Sequence, residues 1–287
     1  MDKDPLVTIG IPAFNASRYI ADCLRSVTNQ SFDDFEVIVT DDGSTDNTCE
    51  IVNSFSDRRI RLVRDNINLG IAARINQQVD MARGRFFCRM DADDIMFVSR
   101  LEKQVGFMQE NPETDVMGSQ AIVIDERNRI MGKRYCNPSF SRHSVLREIL
   151  FIHPTVLGKT SWFRENRYSG DFNGVEDFYL WNTTLGKSRF RIVTEPLLFY
   201  RDATTDSRSK YLFRQRQIRQ VFGRLTDSKL ITRQEMCLLQ TRSLLKSVAF
   251  SSLSIFGLHS FLISRRNNPM EPEEKNRYTY EMNSSMS

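Results

Sequence analysis

The sequence predicts an α/β protein built on a mainly parallel sheet, and three observations predict it. Short apolar runs of strand type alternate with stretches of helical spacing through about residue 125. The runs are rich in β-branched and aromatic residues, as strands covered on both faces are. Each leads into a polar loop, the pattern of right-handed crossovers in which ligands gather at the carboxyl ends of the strands.

The expected strands are 6–12, 35–40, 60–63 and 86–90. Between them, Tyr19, Ile20, Cys23, Leu24 and Val27 mark one helical face, and Cys49, Ile51, Val52 and Phe55 a second. Ser44 or Thr45 can cap that second helix. Ile71, Ile75, Val79 and Met81 mark a third. From 116 to about 142 the pattern is strand-like, punctuated by Gly118, Asn128, Gly132 and Asn137. Helices are expected at 144–150 and 175–185, and late strands at 190–194 and 197–200 around Glu195-Pro196. Beyond Asp206 the chain reads as helical and basic. From Asn267 a polar tail containing Pro and Glu is expected to be disordered. The expected organisation is a catalytic domain over 1–206, a basic helical extension over 207–266 and a tail over 267–287.

With 287 residues, 40% hydrophobic and 26% charged, the chain can bury a full core without staples. The five cysteines are scattered and form no C-x-x-C pair, which excludes a disulfide framework or zinc ribbon and suits a reducing compartment. The charged opening from Met1 to Pro5 lacks the apolar run of an export signal, so a cytoplasmic location is expected. The net charge of +4 hides a division: residues 207–266 hold 12 basic and two acidic residues, an excess of +10, leaving −6 elsewhere. Residues 247–263 contain no Asp, Glu, Lys or Arg but five serines and His259, too polar and short to span a bilayer. Basic flanks beside Phe250, Leu253 and Ile255 suit an anionic membrane surface, against the simpler reading of a helical cap. The Arg- and Gln-rich run at 213–220 is read as a solvated helix face, not a nucleic-acid site.

The chemistry sits in the loops after the strands. The first strand ends in Pro12, Ala13, Phe14 and Asn15; the second ends in Asp41 and Asp42 before Gly43, a pair able to hydrogen-bond a base or ribose. A plain turn would use the same residue types. The fourth strand runs into Asp91, Ala92, Asp93 and Asp94, and like charges so crowded are costly unless a cation neutralises them. A hard divalent ion, Mn²⁺ or Mg²⁺, shared with a diphosphate is the natural solution. Two P-loop look-alikes, at 157–160 and 185–188, lack the earlier Gly.

These motifs, with Asn68-Leu69-Gly70, His153-Pro154, Glu176-Asp177 and the run 195–201, resemble the family-two inverting glycosyltransferases of the GT-A fold. The resemblance covers about residues 5–202. It implies that Pro12, Ala13, Asn15, Asp41 and Asp42 bind the donor nucleotide, that Asp91 meets the ribose, and that Asp93 holds the divalent metal. It also implies that Glu176 or Asp177, with Asp177 favoured, deprotonates the acceptor hydroxyl. Arg74 lies one place off the usual Arg after Gly70, so a phosphate role is not assigned to it. His153 is divided between lining the acceptor side and a buried structural role. The expected activity is transfer of a sugar from a nucleotide-diphosphate donor, a UDP-sugar, to a hydroxyl acceptor, a lipid-linked or membrane-proximal saccharide, in surface polysaccharide or glycolipid synthesis. The alternative is an inactive nucleotide-sugar-binding protein on the same fold.

Overall fold

In the computed structural model, residues 4–148, 150–202, 208–255 and 267–287 are described. Their strands are β1 (Val7–Ala13), β2 (Phe35–Asp41), β3 (Ile60–Arg64), β4 (Phe86–Arg89), β5 (Ile95–Met96), β6 (Val116–Ile124), β7 (Ile130–Arg134), β8 (Leu157–Lys159) and β9 (Phe190–Arg201). One sheet joins them in the order β3-β2-β1-β4-β8-β6-β9-β5, with β7 paired to β6. β1 is parallel to β2 and β4, and β2 to β3. β8 runs antiparallel between β4 and β6, so β6 and its parallel partner β9 share the direction of β4. The carboxyl ends of β1, β2, β4 and β9 therefore meet along one edge.

The first three helices lie where their apolar spacing places them. α1 (Ile20–Thr28) buries Ile20, Cys23, Leu24 and Val27. α2 (Thr48–Asn53) buries Cys49 and Val52. α3 (Ile71–Met81) buries Ile75 and Val79, but it also buries Arg74 and Gln78 in place of Met81. α4 (Arg100–Glu110) escaped the sequence reading because its inner face includes Arg100 and Gln104, both fully buried. The Arg100 guanidinium is satisfied by Gln104 Oε1 at 2.9 Å and the Arg89 carbonyl at 3.0 Å.

Several expectations need correction. The helix expected at 144–150 is only the turn α5 (Arg142–Val145) among the described residues. The two late strands are one, β9, whose register against β6 shifts on both sides of the Gln120–Pro196 pair. Proline has no N–H for the ladder, so the strand accommodates it by irregular pairing. Between them lie α6 (Thr160–Glu165) and α7 (Glu176–Thr184).

The basic segment forms a hairpin of α8 (Arg208–Asp227) and α9 (Arg233–Ile255) that packs on the rest of the chain. Val221, Phe222, Leu225, Ile231 and Leu239 share a buried cluster with Leu146, Phe172 and Val175. Tyr211 stacks on Phe250 at 3.9 Å between centroids. The second half of the 247–263 stretch lies outside the described residues. No described helix is long and apolar enough to cross a membrane.

The tail expected to be disordered is instead a helix, α10 (Pro272–Met286). Its composition is polar on average, but Tyr278 and Met282 stand four apart on one face. They fill a pocket of Ile95, Phe97, Ile122, Ile124, Ile130 and Phe199 at the β5 end of the sheet. Lys133 pairs with Glu274, and Asn29 Nδ2 donates to the Ser284 carbonyl at 2.7 Å. Met282→Ala should therefore cost about 2–5 kcal/mol, the usual range for truncating a buried Met. Circular dichroism melting would show this as a lowered midpoint, whereas a truly disordered tail would leave the midpoint unchanged.

Candidate active site

The β1 and β2 loops are laced together. Asn15, held at a φ of +49°, donates its N–H to Ser44 Oγ at 2.9 Å and accepts from Thr45 N at 2.9 Å through Oδ1. The Ala16 N–H donates to Thr48 Oγ1 at 2.8 Å, and the Ser17 N–H to Asp46 Oδ2 at 3.0 Å. Gly43 takes a φ of +80°, a turn conformation that costs glycine nothing. Pro12 and Ala13 end β1 beside it, Pro12 partly exposed and Ala13 buried.

The Asp41 and Asp42 carboxylates face inward. Asp41 is fully buried and accepts from the Ser44 N–H through both oxygens at 3.2 Å. Asp42 accepts from the Leu69 N–H at 2.7 Å, the Gly70 N–H at 3.1 Å and Arg74 Nε at 2.9 Å. Arg74, without any exposed surface, also grips both oxygens of Asp65 at 2.6–2.7 Å. Arg74 is thus the internal cation that shapes the 65–70 loop. Phe14, Ile67 and Leu69 remain about half exposed at the rim of these loops. Sequence reading singled out none of these three as a contact surface, although an aromatic directly after a buried strand end was a usable signal.

Asp91, Asp93 and Asp94 each offer a carboxylate oxygen, all within 4.8 Å of one another. Asp94 is fully buried; its Oδ1 accepts from the Arg201 N–H at 2.7 Å, and its Oδ2 has no partner. Arg201 Nε donates to the Asp93 carbonyl at 2.7 Å, Nη1 to the Asp125 carbonyl at 2.7 Å, and the guanidinium covers the Tyr19 ring at 4.2 Å. On the other flank, Arg89 Nη2 pairs with Asp91 Oδ1 at 2.6 Å. Burial, then the charge of Asp91, pushes the Asp93 carboxyl up to about 6. Burial, then Asp93 and Asp91, pushes Asp94 well above the usual carboxylate range. Two arginines do not neutralise three crowded acids that burial disfavours. An all-oxygen cluster with an unpartnered buried oxygen fits a hard divalent cation.

A second acid pair opens α7, after Gly174 at a φ of +76°. Glu176 is 5% exposed with Oε2 unpartnered, and burial followed by the Asp177 charge pushes it up to about 7. Asp177 is partly exposed and accepts from the Phe178 N–H at 2.7 Å. Burial raises it as well, opposed chiefly by the Arg214 charge from α8. His153 Nε2 meets the Tyr168 hydroxyl at 2.9 Å, and burial followed by Arg89 drives it well below its ordinary value. Both influences favour the neutral imidazole, and the Tyr168 contact holds the partly exposed ring in place.

The structure thus brings the predicted residues of β1, β2 and β4 to one sheet edge. It also adds Arg89 and Arg201, which sequence reading did not select. Arg89 had a signal: a lone cation ending an apolar strand, two residues before the acids.

Comparison with known proteins agrees with this architecture. The profile of Glycosyl transferase family 2 matches residues 8–168, more than half of the chain. An uncharacterized glycosyltransferase of Haemophilus influenzae is 30% identical over 215 residues, 70% of this chain and 67% of that one. An Escherichia coli UDP-Glc:alpha-D-GlcNAc-diphosphoundecaprenol beta-1,3-glucosyltransferase, WfgD, is 33% identical over 183 residues, 63% and 70% of the two chains. Among solved structures, Staphylococcus aureus TarS residues 1–349 in complex with UDP superpose with a TM-score of 0.59 at 19% identity, covering 97% of this chain and 79% of that one. The mannosyltransferase PcManGT of Pyrobaculum calidifontis, in complex with GDP-Man and Mn²⁺, gives 0.59 at 18% identity, covering 99% and 86%. With its GT-A sheet, its strand-end acid triad and a matching profile over most of the catalytic fold, this chain belongs to glycosyl transferase family 2.

Proposed function

We propose that this glycosyltransferase works with inversion, transferring a sugar from a nucleoside-diphosphate donor, a UDP-sugar, to a hydroxyl of a lipid-linked saccharide. The observation that carries the reading is the presence of two separate acid clusters, one after β4 and one opening α7, both reached by the Arg89 charge. A binding protein needs only a set that meets the nucleotide; a second buried carboxylate pair is what deprotonating an acceptor requires. In this reading Pro12, Ala13, Asn15, Asp41 and Asp42 build the nucleotide pocket. The aspartates act there by holding the loops, while the exposed ring of Phe14 offers a stacking face for a base. Asp91 and Asp93, with Asp94 beside them, would hold Mn²⁺ or Mg²⁺. When bound, the metal neutralises charge developing on the leaving diphosphate.

The acceptor oxygen forms its bond to the anomeric carbon as the bond from that carbon to the phosphate oxygen breaks. The electron pair departs with the nucleoside diphosphate, and the acceptor proton passes to Asp177. Its partial exposure suits Asp177 to meet an incoming hydroxyl, and burial raises its proton affinity. The relative WfgD, whose name specifies a UDP-Glc donor and a diphosphoundecaprenol-linked acceptor, and the UDP complex of TarS support the donor and acceptor chosen here. Asp177→Asn should lower turnover by about a hundredfold or more while donor affinity stays within a few-fold. Steady-state kinetics and calorimetry separate the two. Should Glu176→Gln show that loss and Asp177→Asn keep full rate, Glu176 is the base.

The metal assignment has a pH signature. The Asp93 carboxyl is raised to about 6, so below that value a proton occupies the site that a cation would take. A raised acid contributes stability at low pH that is lost as pH climbs through the folded value. Added Mn²⁺ should offset that loss. The rise in melting temperature on adding Mn²⁺ is expected to be small at pH 5 and clearly larger at pH 8, and Asp93→Asn should reduce it at pH 8. An equal rise at both pH values would count against a carboxylate site.

Membrane association is part of the same proposal. The outer face of α9 leaves Leu238, Leu244, Leu245 and Val248 more than half exposed, beside Arg242 and Lys246. Apolar insertion and basic charge together suit an anionic membrane surface. Truncation is the wrong test, because α8 and α9 complete a buried cluster. Leu245→Glu with Val248→Glu should instead abolish sedimentation with vesicles containing anionic phospholipid, and salt should weaken wild-type binding. Equal sedimentation of wild type with neutral vesicles would remove the electrostatic part.

A further inference from the structure

The guanidinium of Arg89 is a costly feature of the site, with two of its nitrogens buried and unpartnered. Only 2% of the residue is exposed, and one nitrogen, Nη2, is used by Asp91 at 2.6 Å. Nε and Nη1 are buried with no hydrogen-bond partner. A buried charged donor left unpaired is expensive, and most such groups in folded proteins find partners. Arg100, equally buried a few residues away, is satisfied in full view of the same strand by Gln104 and by the Arg89 carbonyl. The fold can therefore satisfy a buried Arg here, and leaves Arg89 unsatisfied.

The place of the open donors is bracketed from two sides. Arg89 ends β4, two residues before Asp91, and its own N–H donates to the Val156 carbonyl at 2.9 Å, which fixes it against the segment after His153. Its charge is felt by Asp93 and Asp94 on one side and by Glu176, Asp177, His153 and Tyr168 on the other. Glu176 Oε2, also buried and unpartnered, lies in that second group. Under the glycosyl-transfer reading, on which this inference rests, the group held between the diphosphate acids and the base is the donor sugar. Sugar hydroxyl oxygens are acceptors for N–H donors, and a carboxylate such as Glu176 accepts from sugar O–H groups.

We propose that Arg89 binds the donor sugar, its open Nε–H and Nη1–H donating to sugar hydroxyl oxygens while Nη2 stays on Asp91. Arg89 thereby distinguishes a nucleotide-sugar from the bare nucleotide. A planar guanidinium can serve both partners at once, whereas an ammonium is a point charge that keeps the Asp91 pair but loses the fork.

The test uses the full chain with Mn²⁺ and calorimetric titration of UDP, GDP, UDP-glucose, UDP-N-acetylglucosamine and GDP-mannose. For the best nucleotide-sugar, Arg89→Lys should reduce the affinity advantage over its own nucleoside diphosphate by tenfold or more, the scale of a lost hydrogen bond to a charged group. Retention of the full advantage in a folded Arg89→Lys protein would overturn the proposal. Because the variant could fail to fold, the wild type supplies a second readout: analogues of that donor lacking each ring hydroxyl in turn. At least one should bind tenfold or more weakly than the parent; if all bind like the parent, the proposal fails. If wild type binds no nucleoside diphosphate in the presence of Mn²⁺, the glycosyl-transfer reading itself fails, a result distinct from the other two.

Discussion

Crowding of negative charge at the end of β4 is the constraint on which the rest of this structure turns. Three carboxylates in four residues, two of them largely removed from water, would drive the strand end apart without compensation. The fold answers with one cation brought from far along the chain and one from the strand itself. Arg201 arrives at the end of β9 and donates to Asp94 and to the Asp93 backbone. Arg89, from β4 itself, takes Asp91. Both arginines are buried, so both depend on the acids as much as the acids depend on them. The remaining negative charge is what a divalent cation and a charged donor would share.

This dependence explains features of the topology that would otherwise look arbitrary. β9 must run parallel to β6, and so to β4, for Arg201 to reach the loop after β4. β8 runs antiparallel beside β4, and the Val156 carbonyl just before it accepts the Arg89 N–H at 2.9 Å. The neutral His153 adds no further positive charge there, which leaves Arg89 as the cation felt by both acid clusters. The β2 side is organised on the same principle by another buried arginine, Arg74, which holds Asp42 and Asp65. Pairing buried ions contributes little net stability, but removing one partner is costly, so such networks specify geometry more than they add to the folding free energy.

The aromatic and helical packing around this centre holds it rigid. Trp181, on the helix that begins with Glu176-Asp177, packs on Phe151, Trp162 and Phe190, which anchors the start of α7 to the sheet. On the outer side α8 packs on α7 through Phe178 and Phe222, α9 adds Leu239 to the same cluster, and Arg214 sets a positive charge near Asp177. The basic extension is thus continuous with the catalytic fold and contributes to its electrostatics.

The sequence by itself determined the parallel half of the sheet, the first three helices and the two acid clusters. Strand and helix periods are local, and acids crowded at a strand end carry their own electrostatic meaning. It did not reveal α4 or α10. The inner face of α4 includes Arg100 and Gln104, which are satisfied in part by backbone carbonyls of other elements, and α10 shows a short apolar face of Tyr278, Met282 and Met286 that matters only once the sheet edge it covers exists. Nor did it separate carboxylates turned inward, Asp41 and Asp42, from those left short of partners, Asp94 and Glu176. Residue type states what a group can bond; only the tertiary structure decides which bonds are already taken, because that depends on Arg74, Arg89 and Arg201 arriving from three different elements.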